Sequence, residues 1–161
     1  MWYTQGMPTT EQLAYAAGLV DGEGSIMLVK KGRLKGGLLY RELRVEVANT
    51  DLRMITWLIR VFDGAITVCK RPADARRKDY YVWRLTGWRA RDFIEKVHPF
   101  LVTKKKHVEA VRLFQASVSV SGHALTEAQR AGKAESIQML SQLNRRGRVV
   151  DANADRALDQ A

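Results

Sequence analysis

The chain has 161 residues, with 27 Lys and Arg against 17 Asp and Glu, a formal net charge of +10 and a single cysteine. That length fits one domain with a real core, and a lone Cys69 excludes a disulfide framework and fits a reducing compartment. No apolar run approaches a membrane span and residues 1–5 lack the regions of a signal peptide, so the expected location is the cytoplasm or an organellar matrix, not the exterior.

Taken in chain order, the first element is a helix. Thr9 and Gln12 form a capping box ahead of an apolar pattern. Leu13, Ala16 and Val20 make one side, adjoined by Tyr15 and Leu19. Ala14, Ala17, Gly18, Asp21 and Gly22 make the other, at steps of three and four. A glycine inside a helix costs roughly 0.5–1 kcal/mol against alanine. Gly18 and Gly22 therefore need a reason, and close packing against another helix is the usual one. Only one such segment exists, so its natural partner is its own copy, which would set two Asp21-Gly22-Glu23 termini side by side. The plainer alternative makes Gly22-Glu23-Gly24 a helix cap and a turn into a strand.

A strand over residues 25–29 follows, then a basic loop over 30–37 and a second strand over 39–48. In the second strand Leu43, Val45 and Val47 share one face, and Glu42, Arg44 and Glu46 the other. Asn49-Thr50-Asp51 caps a helix to Phe62, and Asp63-Gly64 turns the chain. Strands over 65–71 and 79–86 flank the charged loop 72–78. Helices over 90–97, 104–118 and 127–143 complete the order. Gly132 is out of place within the last of them, and residues 144–161 read as a polar tail.

This order is that of an α+β fold, an αββαββα core with an antiparallel sheet, helices on one sheet face and additional C-terminal helices. The charge is unevenly spread. Residues 30–106 hold 20 Lys and Arg against 8 Asp and Glu, whereas the rest hold 7 against 9. Such asymmetry points to a polyanion, most plausibly nucleic acid, and away from a membrane, because the basic residues do not form an amphipathic helix. A polar sheet face among basic loops suits the major groove of duplex DNA, with Arg44 able to contact guanine and Glu42 or Glu46 able to accept from cytosine. Thr103-Lys104-Lys105-Lys106 opens a helix with cations against its dipole, which suggests an anion nearby.

The stretch Ala16-Ala17-Gly18-Leu19-Val20-Asp21-Gly22-Glu23-Gly24 resembles the signature of the LAGLIDADG homing endonucleases. The resemblance extends through the element order, Val47-Ala48-Asn49-Thr50-Asp51, Trp83-Arg84-Leu85-Thr86-Gly87, His98-Pro99-Phe100-Leu101-Val102-Thr103-Lys104, and the ending Leu143-Asn144-Arg145-Arg146-Gly147. It covers residues 12–147 and implies one endonuclease domain over 1–147 with a tail over 148–161.

The resemblance to the single-motif type implies a homodimer joined through Ala14, Ala17, Gly18, Asp21 and Gly22. Such a dimer binds a long, nearly palindromic double-stranded DNA site with a saddle of sheet and cuts both strands to leave short 3′ overhangs. It implies Glu23 and the Gly22 carbonyl as ligands of Mg²⁺ or Mn²⁺, with Ca²⁺ able to bind without supporting cleavage. Glu23, Asn49, Arg53 and Lys104 are the implied catalytic residues, and Asp21 supports the helix end. DNA contacts are implied at Lys31, Arg33, Tyr40, Glu42, Arg44, Glu46, Thr67, Arg71 and Tyr81, and from the loop at Arg76, Arg77 and Lys78. Trp83 is left between core and base contact. The alternative is an intron RNA maturase or a cleavage-inactive DNA-binding protein of the same fold.

Overall fold

The computed structural model describes residues 7–33, 39–72, 76, 78–117 and 125–145. Helix α1 spans Thr10–Glu23, opened by the expected capping box: the Gln12 amide donates to Thr9 Oγ1 and the Thr9 amide to Gln12 Oε1. Such caps contribute about 1 kcal/mol. Four strands follow, β1 (Gly24–Arg33), β2 (Leu39–Asn49), β3 (Ala65–Cys69) and β4 (Tyr80–Thr86), with α2 (Leu52–Phe62) between the second and third. They form one antiparallel sheet in the order β1-β2-β4-β3. After it come α3 (Gly87–Val97), a 3-10 turn at His98–Phe100, α4 (Lys105–Ala116) and α5 (Glu127–Leu143).

The inner sheet face builds the core. Leu43, Val45 and Val47 of β2 are buried with Ile26 and Leu28 of β1 and with Trp83 and Leu85 of β4. Over them lie Ala16, Leu19 and Val20 of α1, Ile55 and Leu58 of α2, and Phe93, Ile94 and Val97 of α3. Trp83 is fully buried, edge-on to Phe93, and its indole N–H donates to the Asp63 carbonyl. It is therefore core.

Two glycines are explained by close approach. A Cβ on Gly24 would stand 2.6 Å from the Val20 Cα and carbonyl oxygen, so the abrupt passage from α1 into β1 requires its absence. The cap-and-turn reading holds at this residue, and it does not compete with a role for the adjacent Glu23. A Cβ on Gly132 of α5 would stand 2.5 Å from Ser117 Oγ, just beyond α4. Gly132 thus lets α5 pass close to the end of α4.

Several boundaries differ from the sequence reading, three of them by two residues or more at the sheet and α3, while α4 is shorter, Lys105–Ala116. β1 continues to Arg33, because Lys30 still pairs with Arg41 and Arg33 with Leu39 across an irregularity. β3 ends at Cys69, and α3 starts at Gly87, directly after β4. Residues 34–38, 118 and 146–161, and with them the centre of the basic loop and the tail, lie outside the described residues.

Candidate active site and nucleic-acid interface

The end of α1 is fastened by its own chain. Asp21 Oδ2 accepts the Val102 amide at 2.6 Å, and Oδ1 accepts the Thr103 hydroxyl at 2.9 Å and the Lys104 amide at 3.0 Å. Burial raises this carboxyl, but the bonds from Val102, Thr103 and Lys104 together outweigh it and leave the group below its ordinary value. The side chain expected at a helix–helix interface is thus engaged within the protomer.

Lys104 is the N-cap of α4, and its Nζ donates to the Asp21 carbonyl at 2.7 Å. A lysine that is unfavourable at the start of one helix sits at the C-terminal carbonyls of another, where the dipole favours it. Lys105 and Lys106 point into solvent.

Two residues beyond Asp21, Glu23 is exposed and lines an open cleft of about 310 Å³ with Ala48, Asn49, Thr50 and Tyr80. The sheet brings these together: Gly24 pairs with Val47, and Asn49 pairs with Tyr81 beside Tyr80. Asn49 Oδ1 accepts the Asp51 amide, and the Asn49 amide nitrogen has no hydrogen-bond partner among the described residues. Arg53 is not a wall of the cleft. Its side chain is 91% exposed and forms a forked pair with Asp51, Nη2 to Oδ2 at 2.6 Å and Nε to Oδ1 at 3.0 Å. Asp51 also caps α2 by accepting the Arg53 amide. These bonds from Arg53 hold the Asp51 carboxyl down at about 2. His98 and His107 stand apart from this chemistry: His98 Nδ1 contacts Arg112, and His107 is buried in α4.

A divalent cation would find hard oxygen donors here, the exposed Glu23 carboxylate and the Gly22 carbonyl in the last turn of α1. Among the described residues no group of three or more His, Cys, Asp or Glu side chains could hold a metal ion. The donor set within one chain therefore fits a cation that takes its remaining ligands from water and substrate.

The outer sheet face is charged and cross-linked. Lys31 Nζ pairs with Glu42 Oε2 at 3.0 Å. Glu46 Oε1 accepts Arg84 Nε at 2.6 Å and stands 3.6 Å from Arg44 Nη1. Arg44 Nε is buried with no hydrogen-bond partner among the described residues. Thr67 is exposed on β3, and beyond that strand the Arg71 guanidinium lies 4.8 Å from the Tyr80 ring centroid. Arg76 and Lys78 are exposed. Arg33 and Tyr40 belong to β1 and β2, while Arg77 lies outside the described residues.

Two sequence assignments are corrected. Tyr81 shares the inner face with Trp83 and Leu85 and packs against the core, so it cannot reach a ligand on the outer face. Tyr80 and Arg84, which the sequence reading omitted, hold the outer positions. Ala17 is 0% exposed inside its own protomer, so it cannot join a helix–helix contact. Ala14, Gly18 and Gly22 remain exposed, and a Cβ added at either glycine would meet no atom within 4 Å.

No protein-family model matches this chain, and no curated protein matches it by sequence. Solved structures do match. The homing endonuclease I-CvuI, in complex with its target in the presence of Ca, has 14% identity and a TM-score of 0.64 over 93% of this chain and 94% of its own. The archaeal intron-encoded homing endonuclease I-Vdi141I, complexed with DNA, has 18% identity and a TM-score of 0.64 over 89% and 91%. The LAGLIDADG homing endonuclease I-GzeII, in complex with a DNA target, has 15% identity and a TM-score of 0.56, but the match spans 93% of this chain and 49% of that one. The chain has the fold of the LAGLIDADG homing endonucleases.

Proposed function

We propose that the protein is a site-specific DNA endonuclease that acts as a homodimer. The observation that carries this reading is the position of Glu23: an exposed carboxylate at the tip of α1, in a cleft with Asn49, at the end of a sheet whose outer face bears Arg44, Arg84 and Lys31. The I-CvuI and I-Vdi141I structures, both bound to DNA, support it, as does their matching length. I-GzeII is about twice as long as the matched part, which supports a second copy of this chain completing the assembly.

In this reading the exposed Ala14, Gly18 and Gly22 of one α1 pack against those of its copy, bringing two Glu23 residues together. The two sheets then form a continuous saddle along a long, nearly palindromic duplex. Glu23 and the Gly22 carbonyl hold Mg²⁺ or Mn²⁺. Such a cation, when bound, would supply an activated water and neutralise charge on the phosphate. Asn49 offers its free amide to orient that water. Lys104 keeps two ammonium hydrogens beyond its bond to Asp21, and Arg53 keeps the free edge of its guanidinium, so both can stabilise developing negative charge. Arg44 is partly exposed on this face, so the accessible edge of its guanidinium can meet a base edge or phosphate. Cleavage across the minor groove leaves short 3′ overhangs.

The test is digestion of a randomised duplex library with Mg²⁺, followed by sequencing of the ends, with Glu23→Gln in parallel. Wild-type protein should yield one nearly palindromic site, and the variant should bind that site without cutting it. Undiminished cutting by Glu23→Gln removes the active-site assignment. Tight binding of intron RNA with no DNA cleavage favours the maturase alternative.

A further inference from the structure

Tyr80 has no role in the chemistry above, yet it forms part of the same wall as Glu23 and Asn49. It opens β4 on the outer face, paired with Cys69 of β3. The Arg71 guanidinium covers its ring at 4.8 Å, and the Arg71 amide donates to Asp79 Oδ1 at 2.8 Å, which closes the strand pair beside the ring. The ring is therefore held from one side by a residue that the strand pair itself fixes. A hydrogen bond with the Cys69 side chain raises the phenol above its ordinary value, so Tyr80 keeps its O–H through the neutral range, and a phosphodiester oxygen would take that hydrogen over from the sulfur.

The chemistry of the cleft selects its ligand. Beyond Glu23, the polar side chains that line it are the Asn49 amide, the Thr50 hydroxyl and the Tyr80 phenol. Each can donate, and none is cationic. A lysine or arginine in that position would pair with Glu23 and compete with a metal ion. Neutral donors leave the carboxylate free while still offering hydrogens to an oxygen that only accepts. Phosphodiester oxygens only accept, whereas base edges in the major groove present donors and acceptors together.

We propose that Tyr80 is a further substrate-contacting residue, whose phenol donates a hydrogen bond to a phosphodiester oxygen of the strand lying in the Glu23 cleft, with Arg71 fixing the ring. This rests on the endonuclease reading. It also makes the loop between β3 and β4 a participant in cleavage, since Arg71 and Asp79 set the ring.

The test compares wild type, Tyr80→Phe, Tyr80→Ala and Glu23→Gln on the duplex recovered from the library. Tyr80→Phe removes one oxygen from a half-buried ring and should unfold close to the wild-type temperature. Its kcat should fall about tenfold or more, the scale of one donor to a charged oxygen, with KM little changed. A methylphosphonate at the scissile position provides a binding readout with Ca²⁺ in place of Mg²⁺. That substitution should weaken wild-type binding more than Tyr80→Phe binding, because the variant has already lost the partner. Wild-type kcat in Tyr80→Phe, or equal methylphosphonate penalties in both proteins, overturns the inference and leaves the endonuclease reading intact. A loss that depends on base identity and not on the phosphate also overturns it. Full activity of Glu23→Gln overturns the active site itself and the inference with it.

Discussion

Asp21 and Lys104 hold each other twice: the Lys104 amide donates to the Asp21 carboxylate at 3.0 Å, and the Lys104 ammonium donates to the Asp21 carbonyl at 2.7 Å. The two residues are 83 positions apart, and together they fix the C-terminus of α1 against the N-terminus of α4. Asp21 thereby sets where the next acid, Glu23, projects. Of two carboxylates separated by one glycine, one is consumed by the fold and the other is left exposed.

Asp21→Asn should destabilise the protein by about 1–3 kcal/mol, because an amide nitrogen would face groups that themselves donate. The measurement is urea unfolding at neutral pH. The wild-type carboxyl lies below its ordinary 3.8 in the folded state, so its contribution is present above that value and is lost as pH falls through the folded value. The gap between wild type and variant should therefore persist at mildly acidic pH and close only in strong acid. A variant as stable as wild type at neutral pH would remove the anchoring role.

The division of labour between these acids was only partly legible in the sequence. The capping boxes, the alternation of β2 and the apolar face of α2 follow from local periodicity, and the structure reproduces them. β4 does not alternate cleanly, since Val82 and Trp83 are both buried. Its parity was consequently ambiguous, and a shift of one residue exchanged Tyr81 for Tyr80. Ala17 failed for a related reason. An alanine is small enough for either a core or an interface, and only the packing of α1 on its own domain decides. The partners of Lys104 lie far away in sequence, so its position against the α4 dipole showed an oddity without showing its resolution.

Gly18 lies on a face of α1 that none of the described residues covers. Gly18→Leu should leave each protomer folded while preventing close approach of two α1 helices. Sedimentation should then report a monomer, and affinity for the full DNA site should fall by about a hundredfold, because two linked half-site contacts become independent. Gly18→Ala should retain the dimer or weaken it mildly. A Gly18→Leu protein that sediments as wild type would remove this face of α1 as the interface of the proposed homodimer.

Glu46 spends a negative charge on a face that would meet phosphates. Its bond to Arg84 and its proximity to Arg44 restrain two guanidiniums that would otherwise contact any phosphate in reach. Glu46→Gln should therefore tighten binding to unrelated duplexes and steepen its salt dependence. Discrimination against single base changes near these residues should fall about tenfold, the scale of one well-oriented contact to a base edge. Competition binding at two salt concentrations reads both quantities. Unchanged discrimination would reduce Glu46 to a solvated surface acid.

His107 adds a second pH dependence to the fold, at higher pH than that of Asp21. It is 6% exposed in α4, and its Nδ1 is buried without a partner among the described residues. Burial lowers its affinity for a proton, and so does the nearby Lys104, while Asn144 and Asp21 act the other way without reversing the shift. Because the folded-state value lies below the unfolded one, His107 favours the fold at pH above its ordinary 6.5, and that contribution is lost as pH falls through the folded value. Wild-type stability should decline between about pH 7 and pH 5, before ordinary carboxylates begin to protonate. His107→Leu should change stability by about 1 kcal/mol or less at neutral pH, since it removes both an orphaned nitrogen and the interaction with Asn144. It should flatten the decline between those two pH values. Urea midpoints of both proteins across that range decide the matter, and an equally steep decline in the variant would assign it to another group.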